Sequence, residues 1–374
     1  MLTRKKAAWA ALIGVAAGVL ALAPISGAGP VPPTTPALRL AVFPIDNLTG
    51  RSLPLMDLRA DIMDCLVAQG LSLIEEEPLA AFMSRNRVRW VGGITAELGG
   101  ALAAQTEANA VLLTALDLHD DGDPPRIGFT MRLVLLGGGE IRVAWGTSVS
   151  LAGNDRPGIL DLGLVREMPA IKQRSIDAAA ARLLAFLERG ATAPADLPHR
   201  AQRRFRPRTF HKVPESPTIG REARRVAVLP FVNESTRRHA GEILANRIVA
   251  ALAEAGAAEV VEPGEVRKVL IDTRLIQQDG LQYAQADLIR DLLDADLIVT
   301  GTTYELAEPQ DRDGFPVVDF LSTGIDARRR QVGWVAHSRS TGLTGVHFFG
   351  LGSVQTAGRL ADELIRGLLE AASR

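Results

Sequence analysis

Hydrophobic residues along the chain form two similar series of short apolar runs separated by helical stretches. Residues 40–43 are an apolar run that ends at Pro44, and residues 226–229 are a second that ends at Pro230. A short apolar run bounded by breakers predicts a buried strand. A polar Asn-x-Ser/Thr turn follows each run, at Asn47 and Asn233, and leads into a predicted helix.

The pattern after each turn predicts alternating helices and strands. Apolar residues at helical spacing predict helices over residues 55–68 and 239–255, and a glycine follows each. A short strand, two helical stretches and a third strand are then predicted over residues 71–116, and again over 258–304. The order βαβαβ implies parallel pairing with right-handed crossovers.

Strict alternation of apolar and polar residues follows in both series. It predicts an antiparallel hairpin over residues 127–149 and another over 320–338, each with one apolar and one wet face. Trp145 and Trp334 occupy corresponding places, where packing in the hairpin is favoured over a role as a binding anchor. A helix closes each series, over residues 166–188 and 356–372. The predicted fold class is α/β, with an α+β mixed sheet.

A constant offset relates the two series. It aligns residues 40–49 with 226–235 and residues 108–114 with 294–300, without a net gap. An offset held over several elements indicates a duplicated unit. We therefore expect two copies of a βαβαβ-ββ-α module in tandem, the first over residues 39–189 and the second over 223–374.

The segment between the modules, residues 190–222, is rich in proline and arginine. Its composition predicts an extended linker that buries no core. Two groups of arginines are candidate contacts for an acidic partner or for anionic lipid, and simple solvation is the alternative for each. The first group lies in the linker and the second in the hairpin turn of the second module: Arg203, Arg204 and Arg206, and Arg328, Arg329 and Arg330.

The N-terminus has the pattern of a secretory signal. Three basic residues precede an apolar run over residues 7–23, and Pro24 and several small residues follow it. This predicts a signal peptide over residues 1–28, with an uncleaved membrane anchor as the alternative. Residues 29–38 are then an extended, proline-rich spacer.

Composition and motifs indicate binding rather than catalysis. The formal net charge of −1 and the aromatic content of 5% do not favour a nucleic-acid partner. No phosphate loop, nucleophile elbow or metal-binding helix is present, so no catalytic, cofactor or metal residue is predicted. Asn47 and Asn233 are candidate partner contacts at the carboxyl ends of strands. The alternative is that each asparagine caps the turn into the first helix of its module.

The motifs of the second module resemble those of a known periplasmic module. It is shared by the curli-secretion protein CsgG, the penicillin-binding-protein activator LpoB and the N-terminal domain of TolB. The resemblance covers nearly all of the second module and, more weakly, the first. It rests on Val226-Ala227-Val228-Leu229-Pro230-Phe231-x-Asn233-x-Ser235, Val260-Val261-Glu262 and Ala295-Asp296-Leu297-Ile298-Val299-Thr300-Gly301.

The resemblance implies a non-catalytic periplasmic binding or scaffold protein of an envelope assembly or export complex, associated with the outer membrane through a partner. A ring-forming outer-membrane secretion subunit is one alternative, and an envelope hydrolase is another. The chain carries no lipidated cysteine directly after the predicted signal peptide. It also has one predicted hairpin per module, which is better explained as part of the module's own sheet than as part of a pore.

Overall fold

The computed structural model describes residues 38–155, 163–189, 202–219, 223, 225–256, 258–275, 281–311, 314–346 and 352–374. The predicted signal peptide and all but the last residue of the predicted spacer lie outside the described residues. Residues 38–374 belong to one compact unit. We call residues 38–189 the N-terminal half and residues 202–374 the C-terminal half.

The N-terminal half alternates strands and helices before a long hairpin and a closing helix. Its elements are β1 (Arg39–Val42), β2 (Asp46–Asn47), α1 (Leu55–Ala68), β3 (Ser72–Leu73), α2 (Glu76–Arg85), α3 (Ala96–Thr106), β4 (Ala110–Asp120), β5 (Arg126–Gly137), β6 (Glu140–Ala152) and α4 (Met168–Arg189). The elements occur in the predicted order, and β2 is an additional two-residue strand within the predicted turn.

The C-terminal half repeats this order after one extra strand. Its elements are β7 (Thr209–Lys212), β8 (Arg225–Val228), β9 (Val232–Asn233), α5 (Ala240–Ala255), β10 (Glu259–Val260), α6 (Pro263–Asp272), α7 (Tyr283–Leu293), β11 (Leu297–Ala307), β12 (Val317–Asp326), β13 (Gln331–Thr341) and α8 (Ala357–Ala372).

Each half contains one mixed sheet. The first sheet has the order β3-β1-β4-β5-β6, and the second has the order β10-β8-β11-β12-β13-β7. Strands β1, β3 and β4 pair in parallel, as do β8, β10 and β11, whereas the long hairpins are antiparallel. The predicted α+β mixed-sheet fold class is confirmed. That the halves are two copies of one module stays a prediction.

Strand register corrects the alignment of the two halves. Leu40 pairs with Ala110, whereas Val226 pairs with Leu297, so the C-terminal half has one more residue between these strands. The same shift is present between β1 and β3, because Arg39 pairs with Ser72 and Arg225 pairs with Glu259. The alignment of residues 108–114 with 294–300 is therefore displaced by one residue. The extra residue lies before β10.

Helices α5 and α8 of the C-terminal half lie between the two sheets. One hydrophobic cluster joins α5 and α8 to strands of both sheets. The outer face of the first sheet packs on α1 and α4, and the outer face of the second packs on α6 and α7. The two halves therefore share a core, because the helices that cover the second sheet also cover part of the first.

The expected wet face of the first hairpin is buried, so that prediction is wrong for β5 and β6. Thr130 and Arg132 are nearly inaccessible, although both are polar and alternate with the apolar residues of β5. Helix α5 covers this face at very short range. A Cβ atom on Gly146 would lie 2.7 Å from the Cα atom of Ala250.

Part of the predicted linker belongs to the second sheet. Residues 203–205 form a 3-10 turn whose Phe205 is buried against α8. Strand β7 then pairs antiparallel with β13, and the Phe210 and Trp334 rings stack at 6.2 Å. Phe205 and Phe210 therefore attach this part of the linker to the C-terminal half, which the arginine-rich composition did not predict. Residues 190–201 lie outside the described residues.

Both corresponding tryptophans pack inside the protein, as expected. Trp145 lies in the cluster between the first sheet and α1/α4, and Trp334 lies in the shared core. Within the described ranges, no helix is long and apolar enough to cross a membrane. In the same ranges, no group of three or more His, Cys, Asp or Glu residues could hold a metal ion.

Candidate functional site

Asn47 and Asn233 organise identical loops in the two halves. The Asn47 side chain accepts hydrogen bonds from the backbone and hydroxyl of Thr49 and donates one to the Arg51 carbonyl. Asn233 makes the same three bonds, with Ser235 and Arg237. Neither side chain caps a helix, since α1 begins after Pro54 and α5 after His239. The side-chain amides are therefore engaged in holding loop shape.

The two asparagine loops lie next to each other at the boundary between the halves. The Arg238 side chain lies against Gly50, at 3.4 Å from the position that a Cβ atom would take there. A polar hollow of about 480 Å³ adjoins the first loop and is lined by residues of both halves. Arg237 crosses it to pair with Glu308 at 3.4 Å and to donate to the Asp117 carbonyl.

The linker arginines have different environments. Arg204 stacks over Phe205 and donates to the carbonyls of Thr344 and Gly352, which attaches the linker to the C-terminal half. Arg206 lies 3.6 Å from Glu370 on α8. Arg203 is exposed. Arg204 and Arg206 are thus partly used by the fold, and Arg203 is available to solvent.

The three arginines after β12 each pair with a carboxylate of the same half. Arg328 pairs with Asp296, Arg329 with Asp326, and Arg330 with Asp287. Asp296 and Asp326 are buried, so these arginines neutralise acids that would otherwise be costly to remove from water. The triplet is a local ion-pair cluster rather than a patch of uncompensated charge.

A buried ion pair joins the two halves within the shared core. Arg247 of α5 is fully buried and binds Asp117 of β4 through two nitrogens, at 2.9 and 2.5 Å, and Asp362 of α8 at 2.8 Å. Burial alone would lower the pKa of Arg247, but the two carboxylates more than offset it and raise the pKa above its usual range. The guanidinium therefore stays charged and holds both halves.

A second buried ion pair also crosses the boundary between the two halves, which we call the seam. Arg132 of β5 binds Glu262, which precedes α6, at 3.0 Å, and both side chains are almost inaccessible. Glu262 also accepts a hydrogen bond from the backbone of Ile94. Two arginine–carboxylate pairs at separate points of the seam fix the relative position of the halves, since separating either pair would leave a buried charge unpaired and lower the stability.

The seam opens on one side into a cleft of about 740 Å³. Its floor is the end of β6 and the following turn, one wall is α4, and the other wall is formed by α5 and α8. Lining residues on the α4 wall are Ile171, Arg174, Ala178 and Arg182, and those on the opposite wall include Ala251, Glu254, Arg359, Asp362, Glu363 and Arg366. The cleft therefore exists only because the two halves are joined.

Strand β6 presents its outer edge to this cleft. It is the last strand of the first sheet, and among the described residues no strand pairs with that edge. The Ser148 carbonyl accepts a hydrogen bond of 2.9 Å from Arg182, and the Ala152 N–H donates to Asp155. Side chains thus satisfy edge groups that a neighbouring strand would satisfy in a sheet interior.

The α4 wall of the cleft carries two arginines that form no salt bridge with a described carboxylate. They are Arg174 and Arg182, and Arg182 donates to the Thr147 hydroxyl and the Ser148 carbonyl. On the other wall, removal from water raises the pKa of Glu254, and Arg182 only partly offsets this. Polar walls and a strand edge that no described strand covers can bind an extended polar segment.

The sequence pattern misses this site because its residues come from separated segments. One signal was nevertheless present: α5 is apolar on nearly all sides, and such a helix is buried on all sides. That signal predicts a second packing surface for α5, and the surface is the first sheet. None of the arginines or asparagines singled out from the sequence lines the cleft, although Arg206 pairs with Glu370 at its margin.

The fold and the cleft define a two-sheet α+β protein with a composite cleft between its halves. No family model matches the chain, and no curated protein matches it. Several solved structures match parts of it. The PelC dodecamer from Paraburkholderia phytofirmans is 19% identical, with 44% of this chain and 98% of that chain covered and a TM-score of 0.29.

Two further solved structures are similar over shorter parts. The LpoB C-terminal domain from Escherichia coli is 19% identical over 31% of this chain and 82% of that chain, with a TM-score of 0.25. Lipoprotein GNA1162 from Neisseria meningitidis is 16% identical over 40% of this chain and 97% of that chain, with a TM-score of 0.28. LpoB is one of the proteins whose module the sequence resembles. The specific resemblance to CsgG stays a prediction.

Proposed function

We propose that this chain is a non-catalytic binding or scaffold protein of the periplasm, which engages an envelope protein complex through the cleft between its halves. The observation that carries the proposal is the composite nature of the cleft. Both halves line it, and buried ion pairs across the seam fix its walls. A site of this kind gains affinity because little ordering is required when a partner binds.

The contrast between α1 and α5 favours partner binding over self-assembly. These helices occupy equivalent places, and each packs on its own sheet through matching residues such as Ile62 and Ile248. The face of α5 that meets the first sheet carries Ala250 and Arg247. The corresponding face of α1 carries acidic residues, Asp57, Asp61 and Asp64. The interface inside the chain therefore cannot be repeated between chains without burying carboxylates.

The periplasmic location rests on the predicted signal peptide. Arg203 in the linker provides a secondary, basic contact for an acidic partner or for anionic lipid. The engagement of Arg204 and Arg206 with α8 and nearby loops makes this contribution smaller than the linker composition suggests.

Photo-crosslinking in living cells tests the proposal. A photoreactive amino acid at Arg174, which is exposed and lines the cleft, should yield a discrete adduct with an envelope protein. The matched control is the same amino acid at Met56, which is 81% exposed on α1 and lies outside the cleft. Equal adduct patterns from both positions, or no adduct from Arg174, would contradict the proposal.

A further inference from the structure

The two sheets end differently at equivalent strands. Strand β13 corresponds to β6, since each contains a β-bulge next to its tryptophan. Trp145 lies opposite Leu133 in the first sheet, and Trp334 lies opposite Gly324 in the second. The outer edge of β13 is covered by β7, a short strand that precedes the rest of its half. The outer edge of β6 faces the cleft, where no described strand covers it.

The same carbonyl position is satisfied in two different ways. In the second sheet, the His337 carbonyl accepts a hydrogen bond of 2.8 Å from the backbone N–H of Arg208, next to β7. His337 is three residues after Trp334, and Ser148 is three residues after Trp145. The Ser148 carbonyl accepts its bond from the Arg182 side chain instead. Arg182 thus takes the place that a strand backbone takes in the other half.

The free groups of β6 follow from strand geometry. In an antiparallel sheet, the backbone N–H and C=O groups of successive residues point alternately toward and away from a given neighbouring strand. The bonds of Ser148 and Ala152 to side chains place residues 148, 150 and 152 in the outward set. Both outward groups of Ala152 already bond to Asp155, so residues 148 and 150, about 7 Å apart at the rise of a strand, remain for an added strand.

We propose that the cleft takes an extended peptide of a partner protein, which adds to β6 as a further antiparallel strand and carries acidic side chains toward α4. This inference rests on the proposed function and specifies the partner's chemistry. Strand addition uses main-chain hydrogen bonds for affinity and alternate side chains for specificity. Strand β7 on β13 is the internal example of the geometry.

Charge determines which peptide fits. Alternate side chains of an added strand point to opposite walls. Those toward α4 meet Arg174, for which no described carboxylate is a salt-bridge partner, and Arg182, which also lies near Glu254 of the opposite wall. A carboxylate there draws Arg182 from the Ser148 carbonyl, and the peptide backbone then takes that acceptor. Charge-assisted pairing with arginine favours acidic over basic side chains at these positions.

The test uses defined peptides and the chain without its predicted signal peptide, residues 29–374. The probe is a fluorescent hexapeptide of alternating glutamate and threonine. One control peptide has N-methyl groups on alternate amides, which remove strand donors, and another has lysine in place of glutamate. Fluorescence anisotropy measures affinity, and hydrogen exchange measures protection of the amides of residues 148 and 150.

We expect saturable binding of the acidic peptide, with affinity at least tenfold higher than that of either control peptide, and protection of the two amides. Arg174→Glu should reduce affinity at least tenfold, whereas Arg142→Glu, an exposed change on β6 outside the cleft, should leave it within twofold. Ser148→Pro should abolish protection, and circular dichroism checks that this variant is folded. Because the Arg174 variant changes an exposed side chain, its result does not depend on Ser148→Pro folding.

Two results would overturn strand addition. One is the absence of acidic-peptide binding, and the other is binding that is insensitive to N-methylation or that leaves the β6 amides unprotected. If crosslinking from Arg174 captures a partner while the peptide test fails, the proposed binding function stands and strand addition is wrong. If crosslinking fails while the peptide binds as expected, the edge accepts strands and the cellular role is wrong.

Discussion

Arg247 is the residue on which the joining of the halves depends most. Its side chain is fully buried, and its partners Asp117 and Asp362 come from the first sheet and from α8. Removing one member of a buried pair leaves an uncompensated charge, at a cost of about 3–5 kcal/mol. We expect Arg247→Ala to lower the free energy of unfolding by about that amount, measured by urea denaturation.

The matched control for this prediction is Arg366→Ala on the same side of the molecule. Arg366 pairs with Glu363 at 2.7 Å near the surface of α8, where an ion pair contributes about 0–1 kcal/mol. Equal losses of stability in the two variants would show that Arg247 does not hold the seam.

Glu308 gives the seam a pH dependence with a definite sign. Removal from water raises the pKa of its carboxyl, and this exceeds the lowering by Arg237, by the backbone N–H of Ala357 and by Arg126. The nearby Asp117 raises it further. A folded-state pKa above the unfolded value means that the folded state binds the proton more tightly. The stabilisation is present below the unfolded pKa and is lost as pH rises through the folded pKa.

We therefore predict that Glu308→Gln changes the pH dependence of stability. The stability of the variant, measured as its free energy of unfolding minus that of the unchanged chain, should be higher at pH 7 than at pH 4.5. Urea denaturation at both pH values measures this difference. Loss of the pair with Arg237 affects both values, so a difference of the opposite sign would contradict the raised pKa.

At the scale of elements, the fit of α5 against β6 has little tolerance. Gly146 faces Ala250, and an added Cβ atom would also lie 3.1 Å from the Ala250 carbonyl oxygen. Backbone contacts of this kind do not yield as a flexible side chain does. We expect Gly146→Ala to cost about 1–3 kcal/mol, the usual range for overpacking, as measured by thermal and urea unfolding.

Gly100 in α3 provides the opposite case. Nothing lies within 4 Å of the position of its Cβ atom, and alanine is the better helix former. Gly100→Ala should raise stability by roughly 0.5–1 kcal/mol. A neutral result for Gly146→Ala beside a gain for Gly100→Ala would indicate that α5 and β6 are not in close contact.

Elements that follow local rules were predictable, and those that depend on distant partners were not. Helical spacing predicts residues 55–68, which are those of α1, because its buried Leu58, Ile62 and Leu66 recur every four residues. Strand β7 escapes this reasoning, since its burial comes from pairing with β13 and from Phe210 on Trp334. The polar, buried face of β5 also escapes it, because Arg132 finds its partner Glu262 only in the other half.

The candidate site shows the same division. The asparagine turns were predictable because their bonds span only two to four residues, whereas the expected helix caps are absent because α1 and α5 begin several residues later. The cleft was not evident, since Arg174, Arg182 and Glu254 acquire meaning only when α4 and α5 face each other across β6. Local sequence patterns predict the helices and strands, whereas the cleft forms only through contact between the two halves.

At the scale of the whole molecule, one face of the first sheet is covered by helices of the same chain. The first sheet receives α5 and α8 of the same chain. The equivalent helix α1 presents Asp57 and Asp64 to solvent, and Asp61 pairs with Lys172. A second copy could not place this acidic face on a sheet as α5 does without burying several charges.

The mass of the purified chain, residues 29–374, by light scattering over a wide concentration range tests this account most directly. We expect one monomeric mass at every concentration, since the packing surface that could join two copies is already covered within the chain. A discrete closed oligomer that forms without a partner would contradict it and favour the ring-forming alternative.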